Sequence, residues 1–259
     1  MSRIISIANQ KGGVGKTTTA INLSACLAAA GKKVLVIDFD PQANTTSGLG
    51  LDKHTLDASI YHLLLGQRRF DQVVKPTMIE GLEILPTCVE LAGAEIELID
   101  ISEREYILKR IMVDIKYIYD FILIDCPPSL NILTVNALAA SDTVLVPIQC
   151  EYFALEGLSQ LLRTIDLVRK RLNKRLTLEG VVFTMYDPRT NLSAEVVAEV
   201  KAHLKDDVYN SIIPRNVRLS EAPSHGLPIT LYDARSRGAI AYRELAKEVI
   251  NRKGKGEGK

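Results

Sequence analysis

The chain has 259 residues, of which 47% are hydrophobic and 24% charged. That is the ordinary balance of a globular domain long enough to bury one large core. Its net charge of +1 excludes recognition driven by overall charge, but residues 1–162 carry a net −6 and residues 163–259 a net +7. A basic C-terminal third suits a nucleic acid or another anionic surface, although charge alone favours solvated helix faces.

The first element expected is a strand, Ile4–Ala8, which leaves no room for a signal peptide. It runs into Asn9-Gln10-Lys11-Gly12-Gly13-Val14-Gly15-Lys16-Thr17-Thr18, and a helix over Lys16–Ala30 follows. Strand, glycine-rich turn and helix N-terminus are the context a phosphate-binding loop requires. Glycines let backbone N–H groups curl around phosphate, and the helix dipole favours the anion. In that reading Lys16 reaches the β- and γ-phosphates of ATP, and the Thr17 hydroxyl ligates Mg²⁺. The loop departs from the plain G-x-x-x-x-G-K-[ST] pattern: Gln10 stands where the first glycine belongs, and Lys11 is an additional lysine.

A second strand, Val34–Asp38, ends in the turn Asp38-Phe39-Asp40-Pro41-Gln42. An Asp-x-Asp-Pro turn can simply terminate a strand, although its spacing after the loop helix favours a catalytic role. Further strands are expected at Leu82–Pro86, Phe121–Asp125, Thr143–Ile148, Leu178–Met185 and Val208–Pro214. Phe121-Ile-Leu-Ile-Asp125 is an apolar strand closing on a carboxylate, which suits a hard oxygen ligand in the Mg²⁺ shell. Helices are expected at Glu103–Ile115, Leu130–Ala140, Ala154–Arg171, Ser193–Leu204 and Gly238–Asn251. In Ala154–Arg171 the residues Leu155, Leu158, Leu161, Leu162, Ile165 and Val168 form one stripe. Apolar strands alternating with helices predict an α/β, single-domain P-loop fold, with a mostly parallel twisted sheet and helices on both faces. That domain is expected over residues 1–251, with a disordered basic tail at 252–259.

The four cysteines, Cys26, Cys88, Cys126 and Cys150, lie far apart without a C-x-x-C pair. Buried structural thiols are expected, and neither a zinc site nor a disulfide framework. No apolar run approaches the roughly 18 residues that span a bilayer, so a cytoplasmic protein is expected.

The deviant loop Lys11–Thr18 resembles the signature of the ParA/MinD group of P-loop ATPases. Longer stretches resemble the Soj-type chromosomal ParA proteins within it: Pro41-Gln42-Ala43-Asn44, Leu91–Leu98, Ile124–Ser129, Pro147–Tyr152, Ala154–Leu158 and Ile213–Gly226. The resemblance implies that Lys11 reaches across a homodimer to the partner's ATP, so that ATP binding and dimerisation are one event. It implies that Asp40 orients or activates the attacking water and that Asp38 lies nearer the metal, beside Asp125. It places Pro214 and Asn216 at the adenine, with Met185 as an apolar wall. It assigns Arg189 and Arg218 to DNA phosphates without sequence readout, a task suited to the forked guanidinium. A ParB-like partner that stimulates slow hydrolysis, and residence on the nucleoid, follow from the same resemblance.

Other readings fit less well. A MinD-like membrane switch needs bulky apolar residues in a C-terminal amphipathic helix, whereas this chain ends in a Gly/Lys tail. An iron–sulfur relative needs a cluster-bridging cysteine pair, and Cys126 has no suitable second. For a metabolic ligase no additional substrate pocket is legible.

Overall fold

The computed structural model describes residues 1–151 and 154–252. Of the tail expected at 252–259, Arg252 alone falls among them, and Tyr152 also lies outside the described residues. In chain order the elements are β1 (Arg3–Ile7), α1 (Lys16–Ala29), β2 (Val34–Asp38), α2 (Asn44–Gly48), α3 (Ile60–Leu64), α4 (Phe70–Val73), β3 (Lys75–Pro76) and β4 (Leu82–Leu85). They continue with α5 (Leu91–Glu97), α6 (Ile107–Ile115), β5 (Phe121–Asp125), α7 (Ile132–Ala140), β6 (Thr143–Gln149) and α8 (Ala154–Arg171). The last are β7 (Thr177–Tyr186), α9 (Asn191–Leu204), β8 (Val208–Pro214), α10 (Val217–Glu221), α11 (Ile229–Tyr232) and α12 (Arg237–Asn251).

The strands form one eight-stranded sheet in the order β3-β4-β2-β5-β1-β6-β7-β8. Every pairing is parallel except that of the two-residue edge strand β3 with β4. The central strands are apolar at nearly every position because both faces are covered. Successive residues still divide between the faces. Leu35 and Ile37 join the core under α5–α9, whereas Val34 and Val36 join the core under α1 and α12. Leu158, Leu161, Ile165 and Val168 of α8 are buried as their stripe predicts. Tyr242, Leu245 and Val249 of α12 are buried in the second core, so the apolar stripe of this last helix is occupied inside the molecule.

The expected strands all form, with ends differing by a residue or so. The stretch expected as one helix from Glu103 begins only after Glu103, which is left-handed at φ 55°, and divides into a 3-10 turn at Arg104–Tyr106 and α6 where Tyr106 leaves the helical region at φ −111°, ψ 6°. The helix expected from Leu130 starts at Ile132, where the Asn131 side chain caps it by accepting from the Thr134 N–H at 3.1 Å. The cysteines are free and buried, as expected.

The segment that follows α2 meets the one that follows α10 backbone to backbone at Gly50 and Gly226. Gly226 sits at φ +65°, and a Cβ there would stand 2.8 Å from Gly50 Cα and 3.2 Å from Gly50 N. Gly226→Ala combines left-handed strain with a collision against backbone and is expected to lower unfolding free energy by about 2–4 kcal/mol. Gly66, at φ +69° with open space around it, supplies the strain without the collision, and its alanine variant should lose about 1–2 kcal/mol. Urea denaturation of both variants measures this, and equal losses would refute the packing role of Gly226.

Candidate active site

Parallel strands aim their C-terminal ends at one edge of the sheet, and ligands bind in the crevice there. β1 delivers the glycine loop to that edge, β2 delivers Asp38 and Asp40, and β5 delivers Asp125. The loop is held by side chains from elsewhere. Asn9 Nδ2 donates to the Pro147 carbonyl at 2.7 Å, and Asn9 Oδ1 accepts the Lys11 N–H at 3.0 Å. Thr184 Oγ1 donates to the Val14 carbonyl at 2.8 Å and the Ile148 carbonyl at 3.1 Å. Gly13 and Gly15 take φ of 74° and 85°, which a side chain would resist. Gly15 is also the residue before the first turn of α1, so the N–H groups of that turn are left for an anion.

The two loop lysines differ. Lys16 is buried, and its Nζ donates to the Lys11 carbonyl at 3.2 Å. Burial lowers its pKa, while Asp125, Cys126 and Asp40 act in the opposite sense. Lys11 pairs with Glu151 at the surface, both side chains being about two-fifths exposed. A pair so exposed adds little stability and exchanges readily for another partner.

Asp38 and Asp125 are fully buried and face each other in register on β2 and β5. Burial first, then the neighbouring Asp125, pushes the Asp38 carboxyl up to about 8, against hydrogen bonds from Thr46 and Asp40. Burial pushes Asp125 up to about 6, opposed by the Thr45 hydrogen bond and by the Thr17 hydroxyl, which lies close by but outside hydrogen-bond geometry. Asp38 Oδ2 accepts the Thr46 N–H at 2.7 Å and the Thr46 hydroxyl at 2.6 Å. Asp125 Oδ2 accepts the Thr45 hydroxyl at 2.6 Å, and Asp125 Oδ1 has no partner among the described residues. Asp40 is buried, and its Oδ1 accepts the Gln42 N–H at 3.0 Å.

A cleft of about 1020 Å³ opens beside the loop, lined among others by Gly15, Thr18, Met185, Arg189, Pro214 and Asn216. Met185 adopts φ 50°, strained for a residue with a side chain. Asn216 caps α10 by accepting the Arg218 N–H at 2.8 Å, which leaves its Nδ2 as a donor. Arg189 is exposed and holds Asp187 through two hydrogen bonds, of 2.9 and 2.6 Å. Arg218 pairs with Glu221 at 2.9 Å and lies 3.8 Å from Asp233. The structure thus gathers the loop, Asp38, Asp40 and Asp125 in one place, with Met185, Pro214 and Asn216 along the cleft and the two arginines at exposed positions. Asn9, Thr45, Thr46 and Thr184 also belong to this region and were not singled out from the sequence. The run Asn44-Thr45-Thr46, directly after the Asp-Pro turn, was the available signal for two of them.

Strand, glycine loop, buried lysine and paired strand-end carboxylates define a P-loop nucleotide hydrolase. The chain matches the AAA domain family over residues 2–178. It is 58% identical to the sporulation initiation inhibitor protein Soj of Bacillus subtilis, across 96% of this chain and 98% of that protein. It is 54% identical to the chromosome-partitioning ATPase Soj of Treponema pallidum, across 98% and 99%. Among solved structures, cobyrinic acid a,c-diamide synthase from Mycobacterium smegmatis with bound ADP and magnesium is 40% identical, with a TM-score of 0.85 over 96% of this chain and 94% of that one. The cell division ATPase MinD of Pyrococcus furiosus is 29% identical, with a TM-score of 0.79 over 96% and 99%. The chain belongs to the Soj/ParA family of chromosome-partitioning ATPases. No helix among the described residues is long and apolar enough to cross a membrane.

The carboxylate pair sets a pH dependence. Asp38 binds its proton more tightly folded, at about 8, than at its ordinary 3.8. The stability from that proton is complete below the unfolded value and is lost as pH rises through the folded one. Asp38→Asn removes the titration and keeps an acceptor for Thr46. The variant is expected to gain stability over the parent at pH 9 without nucleotide, and to gain less or nothing at pH 5. Thermal melts at the two pH values measure the difference, and a gain independent of pH would contradict it.

Proposed function

We propose that the chain binds ATP with Mg²⁺ at the loop, dimerises around two such nucleotides and holds DNA without regard to sequence while dimeric. A ParB-like partner then stimulates hydrolysis and ends the cycle, in the cytoplasm and on the nucleoid. The carrying observation is Asp125 Oδ1, a fully buried carboxylate oxygen without a partner among the described residues. Asp125 is near enough to Lys16 to raise its pKa. A hard dication accepts such an oxygen, so Asp125 and Thr17 fit a Mg²⁺ held together with the nucleotide's phosphates, with Asp38 beside them. When bound, that ion neutralises charge on the β- and γ-phosphate oxygens.

The chain's own groups do the rest. Lys16 and the amides of Gly12, Gly13, Val14, Gly15, Thr17 and Thr18 hold the phosphates, and Asp40 orients the attacking water. Met185 and Pro214 form apolar walls for the adenine, and Asn216 Nδ2 donates to it. Lys11 exchanges Glu151 for the γ-phosphate of a second copy's ATP, which makes dimerisation depend on a triphosphate. Arg189 and Arg218 contact DNA phosphates from segments that border the cleft.

Three outcomes test this. Asp40→Ala should form a stable dimer by light scattering with ATP and remain monomeric with ADP. A monomer with ATP would sink the sandwich arrangement. Lys16→Ala should lose ATP affinity by about 10–100-fold, the loss of one charge-assisted hydrogen-bonding group, and lose the dimer with it. For DNA, affinity of the Asp40→Ala dimer should be similar for unrelated duplexes, and log affinity should fall against log salt by about 0.9 per phosphate neutralised. Arg189→Ala and Arg218→Ala should each flatten that slope and leave ATP-driven dimerisation intact. Unchanged binding in both would refute the assignment of this face.

A further inference from the structure

α2 supplies the two hydroxyls that reach the buried acids. Thr45, Thr46, Asp38 and Asp125 are each wholly shielded from solvent. The Thr46 hydroxyl accepts the Thr87 N–H at 3.0 Å, which commits its own proton to Asp38 Oδ2 at 2.6 Å. That same oxygen also takes the Thr46 N–H, and Asp38 Oδ1 accepts the Asp40 N–H at 3.4 Å. Both oxygens of Asp38 are therefore engaged by the protein. Asp125 has the same chemistry and stands opposite in the register, yet Thr45 satisfies only its Oδ2.

A carboxylate with one oxygen tied and the other open presents a lone pair in a fixed direction, and fixed second-sphere donors orient ligands for metals. Ala43, the residue before α2, takes φ 57°, so the chain accepts a left-handed residue to bring both threonines onto the acids. We propose that Thr45 is a positioning residue for the divalent cation: its hydroxyl holds Asp125 Oδ2 so that Oδ1 faces the ion. Thr46 does the converse, saturating Asp38 and reserving it for the shape of the Asp38–Asp40 turn. This inference rests on the Mg²⁺–nucleotide reading above.

The experiment measures binding of a non-hydrolysable ATP analogue to the full chain across a Mg²⁺ titration, beginning in EDTA. For Thr45→Val the Mg²⁺ needed for half-maximal binding should rise about 10–100-fold, while Thr45→Ser, which restores the donor, stays within about threefold of the parent. Thr46→Val should melt at a lower temperature and keep nearly the parental Mg²⁺ requirement. Where the valine variant does not fold, Thr45→Cys keeps the size with a poor donor and should shift the requirement in the same direction. A parental Mg²⁺ requirement in Thr45→Val and Thr45→Cys, or equal shifts in Thr45→Val and Thr46→Val, would overturn the assignment. A parent protein that binds the analogue equally in EDTA and in Mg²⁺ would instead overturn the cation reading beneath it, and the role of Thr45 with it.

Discussion

At the C-terminal ends of β2 and β5, Asp38 and Asp125 lie fully buried and opposite each other. Were both ionised they would repel strongly, and each would carry several kcal/mol of desolvation cost, so Asp38 keeps its proton up to about 8. Much of the surrounding structure answers that problem. α2 sends one threonine to each carboxylate, and buried Lys16 adds positive charge from the first turn of α1. What these groups leave uncompensated suits the Mg²⁺–nucleotide proposed above. Asp125 Oδ1 is the one buried side-chain oxygen among the described residues that they leave without a partner.

The opposite edge of the sheet shows what a purely structural buried acid looks like. Glu179, near the start of β7, accepts Arg3 Nε at 3.2 Å and the Thr143 hydroxyl at 2.7 Å on Oε2. Its Oε1 accepts the Tyr209 hydroxyl at 2.7 Å and pairs with Arg3 Nη2. Arg3 in turn donates to the carbonyls of Val249 and Arg252, each at 2.8 Å, so this acid ties the end of α12 to the sheet. Both its oxygens have partners. The contrast with Asp125 is one of satisfaction rather than depth, since both acids are buried. A half-satisfied buried carboxylate is costly to keep, and its persistence at the ligand edge points to use.

The main strands, the long helices and the phosphate loop were legible in the sequence because each rests on a local pattern: an apolar run, a stripe at helical spacing, or glycines before a lysine. The short helices α2, α3, α4, α10 and α11 span four or five residues each, too few for a period to emerge, and tertiary contacts hold them. The edge strand β3, at Lys75–Pro76, carries no strand signal at all. Asn9 and Thr184 escaped notice for another reason. Thr184 grips the loop from 170 residues away, and its side chain is no different in sequence from any threonine in a strand. Asp38 and Asp125 read alike as strand-end carboxylates. Their hydrogen bonds distinguish them: Asp38 also receives the Thr46 and Asp40 N–H groups, and Asp125 Oδ1 receives nothing among the described residues.

Those bonds also bear on how the site communicates. α2 touches Asp38 and Asp125 through Thr46 and Thr45, and Thr46 further accepts the N–H of Thr87, two residues beyond β4. On its other side, a Cβ added at Gly48 would lie 3.8 Å from Pro223 Cβ, and Gly50 meets Gly226 backbone to backbone. The segment of Pro223 and Gly226 follows directly on α10, which carries Arg218. A flexible side chain between two elements absorbs small shifts by changing rotamer; backbone packed on backbone has no rotamer to change, and close-packed interiors transmit strain. α2 therefore joins the two acids, through its threonines, to the segment that follows α10, through close packing that leaves little room for either to shift alone. The element whose threonines reach the two acids is thus also the one packed against the segment after α10.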